Sequence, residues 1–186
     1  MSSTIEQAQY SILESRKDYE IRLYPSHIVA ETVVQGPYGK ALNQGFRIIA
    51  GYIFGGNTRK ESIAMTAPVI EKKTSISIAM TAPVTASLDG GSHTIAFGMP
   101  RSYTLATLPI PNDPRIKIVT LPERKLAVKR FSWFRTSARV QSKKQELLAA
   151  LKRDMIITKD EPEYAGYNPP WTPPWMRRNE IAVEIE

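Results

Sequence analysis

The sequence predicts an α+β fold: a distorted antiparallel β-barrel or curved sheet with two helices packed on it, and an internal pseudo-twofold repeat. Three observations carry this reading. Several segments alternate with period two, two others repeat at helical spacing, and the order of elements recurs 97 residues on, from Pro25 to Pro122.

The first strand runs over Tyr19–Tyr24, where Tyr19, Ile21 and Leu23 face one way and Glu20, Arg22 and Tyr24 the other. Tyr24-Pro25 then leads into an apolar strand centred on Ala30, as Leu121-Pro122 leads into one centred on Ala127. A helix is predicted from about Tyr38 to Phe54, with Tyr38, Leu42, Gly45, Phe46, Ile49, Tyr52 and Ile53 on one stripe and Gly55-Gly56 as its stop. Its counterpart is predicted over Ser137–Arg153, aligning Ala138, Gln141, Leu148 and Leu151 while Arg139, Lys143, Lys144 and Lys152 stay polar. Further strands are read over Thr94–Met99, Ile116–Leu121, Leu126–Phe131 and Ile181–Ile185. Asp89-Gly90-Gly91 gives a turn, and Pro109, Pro111 and Pro114 stiffen a connector. The expected organisation is one domain over 1–186, with half 1 at about 10–106, a connector at about 107–114 and half 2 at about 115–186.

A shorter repeat lies inside the first half. Ser62-Ile63-Ala64-Met65-Thr66-Ala67-Pro68-Val69 recurs identically from Ser77 to Val84, a duplicated strand-and-turn element too closely spaced for a solenoid.

Composition narrows the function classes. The 186 residues are 42% hydrophobic and 23% charged, ordinary globular usage that argues against disorder or a coiled coil. Cysteine is absent, which removes disulfides, thiolate metal sites, thiol nucleophiles and covalent thioether attachment of haem. The net charge of +7 points to an anionic partner without naming it. Basic residues on the second helix are spread round a solvated face and lack a groove-entering motif, so no nucleic acid is expected. No run approaches the ~20 apolar residues that span a bilayer, and a cytoplasmic protein is expected. No nucleophile elbow, phosphate-binding loop, His-Glu-x-x-His or dinucleotide fingerprint occurs, so the chain is read as a non-enzyme.

One set of motifs is more specific. Tyr19-Glu20-Ile21-Arg22-Leu23-Tyr24, Gly51-Tyr52-Ile53-Phe54-Gly55-Gly56-Asn57, the Ile-Ala-Met-Thr-Ala-Pro-Val blocks, Phe97-Gly98-Met99-Pro100, Ala165-Gly166-Tyr167-Asn168-Pro169-Pro170 and Arg177-Arg178-Asn179-Glu180 resemble the SOUL haem-binding family. They run in family order from about Tyr10 to Glu186, and the duplicated methionine block is similar to bacterial members. The resemblance implies a barrel of two related halves, like gyrase-inhibitor-like effector domains, and haem or a related tetrapyrrole as a non-covalent ligand, for buffering or transfer. It places that ligand in an apolar groove against the first helix and the Pro-rich C-terminal loop.

A porphyrin is an apolar plate with two carboxylates, so it calls for aliphatic and aromatic walls with cations at the rim. The candidate walls are Asn43, Phe46, Ile49, Ala50 and Ile53 on the helix and Tyr167, Trp171 and Trp175 on the loop. Phe46, Ile49 and Ile53 serve equally well as packing of the helix onto the sheet. Arg177 and Arg178 either meet propionates or pair with Glu180 or a backbone carbonyl. The metal ligand is left open. Some animal relatives place a proposed iron-ligating histidine in the Tyr-Glu-Ile-Arg-x-Tyr segment, where this chain has Leu23. His27 is expected to cap a turn and His93 to sit exposed in a Gly-Gly-Ser-His turn, and Met65 and Met80 to fill core. Side-chain ligation is therefore expected to be weak or absent, with tyrosine or methionine ranking before histidine. The alternative is a general binder or sensor of small hydrophobic ligands without haem specificity. A sensor of planar cations would want an acidic residue within its pocket, and Glu31 alone fits that pattern. Oligomeric state is open.

Overall fold

The computed structural model of the chain describes residues 6–74, 91–168 and 171–186. Eleven strands are described: β1 Glu6–Gln7, β2 Ser11–Ser15, β3 Glu20–Tyr24, β4 His27–Gln35, β5 Thr66–Ala67, β6 Val69–Thr74, β7 Ser92–Gly98, β8 Ile116–Leu121, β9 Arg124–Phe131, β10 Glu163–Gly166 and β11 Asn179–Glu184. Two helices, α1 Tyr38–Ile53 and α2 Ser137–Arg153, follow β4 and β9. Nine strands form one curled antiparallel sheet in the order β2-β3-β9-β11-β10-β6-β7-β4-β8, and β1 and β5 pair separately in parallel. No helix among the described residues is long and apolar enough to cross a membrane.

The order of strands contains the pseudo-twofold. Reading outward from the seam between β10 and β6, the series β10, β11, β9, β3 mirrors β6, β7, β4, β8. Each half lends its first strand to the other: Tyr24 of β3 pairs with Arg124 of β9, and Leu121 of β8 pairs with His27 of β4. The element order read from the sequence is therefore correct, and the structure adds the exchange. The second octapeptide copy, Met80, Asp89-Gly90 and Pro169-Pro170 lie outside the described residues. In the first copy Thr66-Ala67 forms β5 and Val69 opens β6.

Both helices lie on one face of the sheet, each over its own core. Under α1, Leu42, Ile49, Tyr52 and Ile53 meet Ala30, Val34, Ile95 and Phe97. Gly45 lets the helix approach closely, since a Cβ there would stand 2.7 Å from Cγ1 of Ile95. The helix stops at Phe54, and Gly55 follows with φ +105°. Under α2, Val140, Leu147, Ala150 and Leu151 cover Ile21, Ala127, Tyr164, Ile181 and Val183. Thr136 caps this helix by accepting from the Arg139 amide, and Lys152 and Arg153 complement the dipole at its other end. Each of these fully buried aliphatic side chains contributes about 1.5–3 kcal/mol through removal from water. Tyr38, at the start of α1, packs against both cores and bridges the halves.

Two sequence expectations change here. The buried stripe of α2 is Val140, Leu147, Ala150 and Leu151, so of the predicted stripe only Leu151 is right; Ala138, Gln141 and Leu148 face solvent. That helix has many alanines and few large apolar residues, and a neighbouring stripe satisfies the same spacing. In β3, Arg22 and Tyr24 are buried as well as Ile21, because the N-terminal segment covers the opposite face of the sheet, with Ala8 and Tyr10 against Tyr24, Leu126, Val128 and Ala182.

Candidate functional site

Two loops meet beside the helix-bearing face. The β9–α2 loop carries Trp133 and Phe134, and the loop from Trp171 to Met176 ends in a single 3-10 turn, Pro174–Met176. They are stitched together: the Trp133 amide donates to the Pro174 carbonyl at 2.8 Å, and Asn179 Nδ2 donates to the Trp133 carbonyl at 3.0 Å. These bonds hold Trp133 at φ +79°, a left-handed conformation that costs a bulky residue about 1–3 kcal/mol. Its indole is held at the surface as a result. Arg177 donates from Nε to the Thr172 carbonyl at 2.8 Å, and its guanidinium lies 5.2 Å from the Phe134 ring.

The product is an exposed apolar surface of Trp133, Phe134, Trp171, Trp175 and Met176, from 48% exposed at Trp133 to 82% at Trp171. Soluble proteins rarely expose a clustered aromatic surface of this kind without a partner for it. The structure thus brings Trp171, Trp175 and Arg177 together as the sequence reading had them, and adds Trp133, Phe134 and Met176. The signal for the added pair was readable: two adjacent aromatics between the end of a strand and a Thr N-cap belong to a loop.

The other candidates are used elsewhere. Ile49, Ala50 and Ile53 point into the sheet at 0%, 9% and 1% exposure, so as groove walls they are corrected to core residues. Asn43 is exposed on α1, and the partly exposed Phe46 packs on Phe97 with ring centroids 5.4 Å apart. Tyr167 is buried on the opposite face; its hydroxyl donates to Glu180 Oε2 at 2.8 Å, and burial beside that carboxylate pushes its phenol far up. Arg178 stacks on the Tyr167 ring at 3.9 Å and donates to Glu180 Oε1 at 2.9 Å, which commits it to the second of its two readings.

A buried polar cluster that the sequence reading missed runs back from Asn179 along the helix side of the sheet. Asn179, which holds Trp133, accepts from the Tyr164 hydroxyl at 2.6 Å, and Tyr164 pairs across the seam with Glu71. Glu71 is 1% exposed; its Oε1 accepts from His93 Nδ1 at 2.8 Å, and its Oε2 has no partner among the described residues. The Tyr38 ring stands edge-on to His93 at 6.1 Å, and its hydroxyl also has no partner among the described residues. Burial, with Glu71 and Tyr164 next to it, keeps the Tyr38 phenol neutral far above its ordinary range. The exposed Arg135 opposes that effect at both Tyr38 and Tyr164. His93 is therefore not in an exposed turn: β7 begins at Ser92, and the imidazole is buried on the helix side. His27 does cap its turn, with Nδ1 donating to the Pro25 carbonyl at 2.9 Å.

The opposite face of the sheet offers different chemistry. A groove of about 520 Å³ runs past Val29, Ile70 and Ala96, but its walls carry Glu31, Asp160, Glu161, Glu163 and Glu184 against Lys72 and Arg124. Lys72 is paired with Asp160 at 2.6 Å and Arg124 with Glu163 at 3.4 Å. Such a groove repels a dicarboxylate. A cleft at the end of the same face, beside Met99 and Tyr103, holds about 230 Å³, less than the ~300 Å³ at which small-molecule pockets begin. Buried acids are thus plentiful, and the expectation that Glu31 stands alone is corrected by Glu71, Glu163 and Glu180. Among the described residues no three metal-binding acidic or imidazole side chains converge.

Known structures share this architecture. The C-terminal domain of EcmrR aligns over 90% of this chain and 98% of its own at 12% identity, with a TM-score of 0.63. An uncharacterized conserved protein from Listeria innocua aligns over 92% and 93% at 12% identity, also with a TM-score of 0.63. SAV2435, in a structure bound to tetraphenylphosphonium, aligns over 91% and 94% at 13% identity with a TM-score of 0.52. At such identities the likeness is one of fold. No curated protein matches the sequence. The family model described as SOUL heme-binding protein matches residues 5–184, and with nearly the whole chain covered the protein belongs to that family.

Proposed function

We infer that the chain binds haem or a related tetrapyrrole non-covalently, on the surface made by Trp133, Phe134, Trp171, Trp175 and Met176, and holds it for buffering or transfer. The observation that carries this is the exposure of five large apolar side chains on two loops stitched to each other, with Arg177 over one ring. The residues fit the group. Aromatic faces receive a flat apolar plate, and guanidinium groups meet its carboxylates. With cysteine absent, the attachment is reversible.

Titration of the purified chain with hemin tests this reading. A saturable Soret shift with one-to-one stoichiometry is expected, and no shift at micromolar hemin sinks it. Replacing both Trp171 and Trp175 by serine weakens binding about tenfold or more, since interface tryptophans commonly contribute above 1–2 kcal/mol. Trp133→Gly relieves the left-handed strain, so it weakens hemin binding while leaving the unfolding midpoint unchanged or raised.

A second reading is favoured by the acid-rich groove on the opposite face, which suits a lipophilic cation, the class of ligand carried by SAV2435. Tetraphenylphosphonium that binds with hemin-like affinity, is blocked by Glu163→Gln and is indifferent to the tryptophan changes would favour that reading.

A further inference from the structure

All three tryptophans of the chain, Trp133, Trp171 and Trp175, belong to the aromatic surface, and all three are exposed. An indole is an apolar plate with one polar N–H edge, and it settles where hydrocarbon meets polar headgroups. The sequence around these rings is basic throughout: residues 131–145 and 164–179 hold six arginines and lysines and no aspartate or glutamate. Of the six, Lys143 is paired with Glu146 and Arg178 with Glu180. Arg135 and Arg139, which follow Trp133 and Phe134 in the chain, are exposed, and Arg177 lies 5.2 Å from the Phe134 ring. The acid-rich groove is on the other face of the sheet, so the aromatic surface and its arginines can meet a negative layer without bringing those acids against it.

A surface that enters a headgroup layer leaves water, and its backbone groups have to be satisfied beforehand. The loop that carries Trp175 and Met176 meets this condition. Pro173 and Pro174 have no amide hydrogen, the Met176 amide donates to the Pro173 carbonyl at 3.0 Å, and the Pro174 carbonyl accepts from Arg177 at 3.2 Å and from Trp133 at 2.8 Å. A protein partner is held by directed hydrogen bonds as well as by area, and a loop whose amides are absent or already used offers few of them. A fluid apolar layer needs none.

We propose that this surface docks the chain onto an anionic lipid bilayer, with the tryptophans at headgroup level and Arg135, Arg139 and Arg177 against the lipid phosphates. The chain then lies on the bilayer and does not span it. The proposal goes beyond the tetrapyrrole reading and does not rest on it.

The test uses the full chain with two kinds of vesicle, phosphatidylcholine alone and phosphatidylcholine with about a third phosphatidylglycerol. Because the chain has no tryptophan elsewhere, its indole emission reports on this surface alone. The expected result is saturable binding to the anionic vesicles, with emission shifted to the blue and quenched by lipids brominated in their acyl chains. Binding to phosphatidylcholine alone is at least tenfold weaker, and added salt weakens binding to the anionic vesicles. Arg135→Gln with Arg139→Gln lowers affinity for the anionic vesicles about tenfold or more, since each arginine at such a surface is worth about fivefold. Trp171→Ser with Trp175→Ser lowers it at least tenfold. Lys117→Gln, on the far edge strand β8, changes it less than about twofold. Far-UV circular dichroism confirms the fold of each variant. Failure to bind the anionic vesicles at low salt overturns the proposal, as does binding in which the emission neither shifts nor is quenched. Polyglutamate that binds where vesicles do not assigns the surface to an acidic protein and overturns it equally. Hemin is titrated separately into the same preparations: hemin binding without vesicle binding removes this proposal and leaves the tetrapyrrole reading, and vesicle binding without hemin binding does the reverse.

Discussion

Glu180→Ala strands two arginines on the face of the sheet opposite the helices. The Glu180 carboxylate is 1% exposed and takes Arg22 at 3.0 Å, Arg178 at 2.9 Å and the Tyr167 hydroxyl at 2.8 Å. Arg178 is 18% exposed along its side chain and can turn toward water once released. Arg22 is 4% exposed, with Tyr10 stacked on it at 4.2 Å, and cannot. Its remaining partners are the neutral Tyr24 hydroxyl at 3.2 Å and Glu20 at 2.7 Å, whose carboxylate is itself 35% exposed and offers only a solvent-weakened interaction. Removal of one member of a buried pair costs about 3–5 kcal/mol, most of it from the charge left behind. For a chain of this length, each kcal/mol moves the thermal midpoint by about 2–4 °C, so Glu180→Ala lowers it by roughly 6–20 °C. Thermal and urea unfolding followed by circular dichroism measure this. Replacing Arg22 and Glu180 together by leucine recovers much of the loss, because no charge is then left unpaired. A cost below about 1 kcal/mol for Glu180→Ala would refute the reasoning, since it would mean that Arg22 reaches solvent in spite of its burial.

Two further outcomes follow from packing and charge. Gly45→Ala drives a methyl into Ile95 and costs about 1–3 kcal/mol by urea unfolding, and Ile95→Val in the same chain recovers part of it. Arg153 and the Tyr19 hydroxyl, with Arg16, hold Asp154 well below its ordinary carboxylate range, and Arg115 holds Asp113 at about 2. A depressed carboxylate stabilises the fold above its unfolded value near 3.8, and that stability is lost as pH falls through the folded value. The urea midpoint is therefore expected to fall from pH 4 toward pH 2, and Asp154→Asn to lower it at pH 7 by a margin that narrows below pH 4. A margin constant across that range would show that the carboxylate charge is not the cause.

What could be read in the sequence depended on how dense its apolar residues are. The first helix, rich in Leu, Ile, Tyr and Phe, announced both its span and its buried stripe, whereas α2 gave its span alone. Its alanines leave the direction of the core to be set by the sheet beneath. Trp171, Trp175 and Arg177 were legible as a loop surface because prolines on either side exclude a helix. Ile49 and Ile53 were ambiguous by nature, since a core stripe and a groove wall share one spacing. The Glu71–His93 pair was out of reach: the two residues are 22 apart in sequence and meet only through the pairing of β6 with β7, and a glutamate beside two lysines reads as solvated. Burial of charge is a property of the assembled sheet, and alternation along a single strand does not announce it.

The exchange of edge strands bears on how this molecule can be divided. A cut in the Pro-rich segment near Pro111 would yield two fragments, each with a helix and three strands that are its own neighbours, and each missing the strand that the other carries. Neither fragment holds a finished floor for its helix; mixed, each supplies what the other lacks. They are complementation partners rather than modules. The intact chain, likewise, has to join Tyr24 to Arg124 and His27 to Leu121 before either core is closed, and such distant pairings set a slow, all-or-none assembly. In effect the molecule is a swapped dimer tethered within one polypeptide, and its polar seam between β6 and β10 occupies the place of a subunit interface.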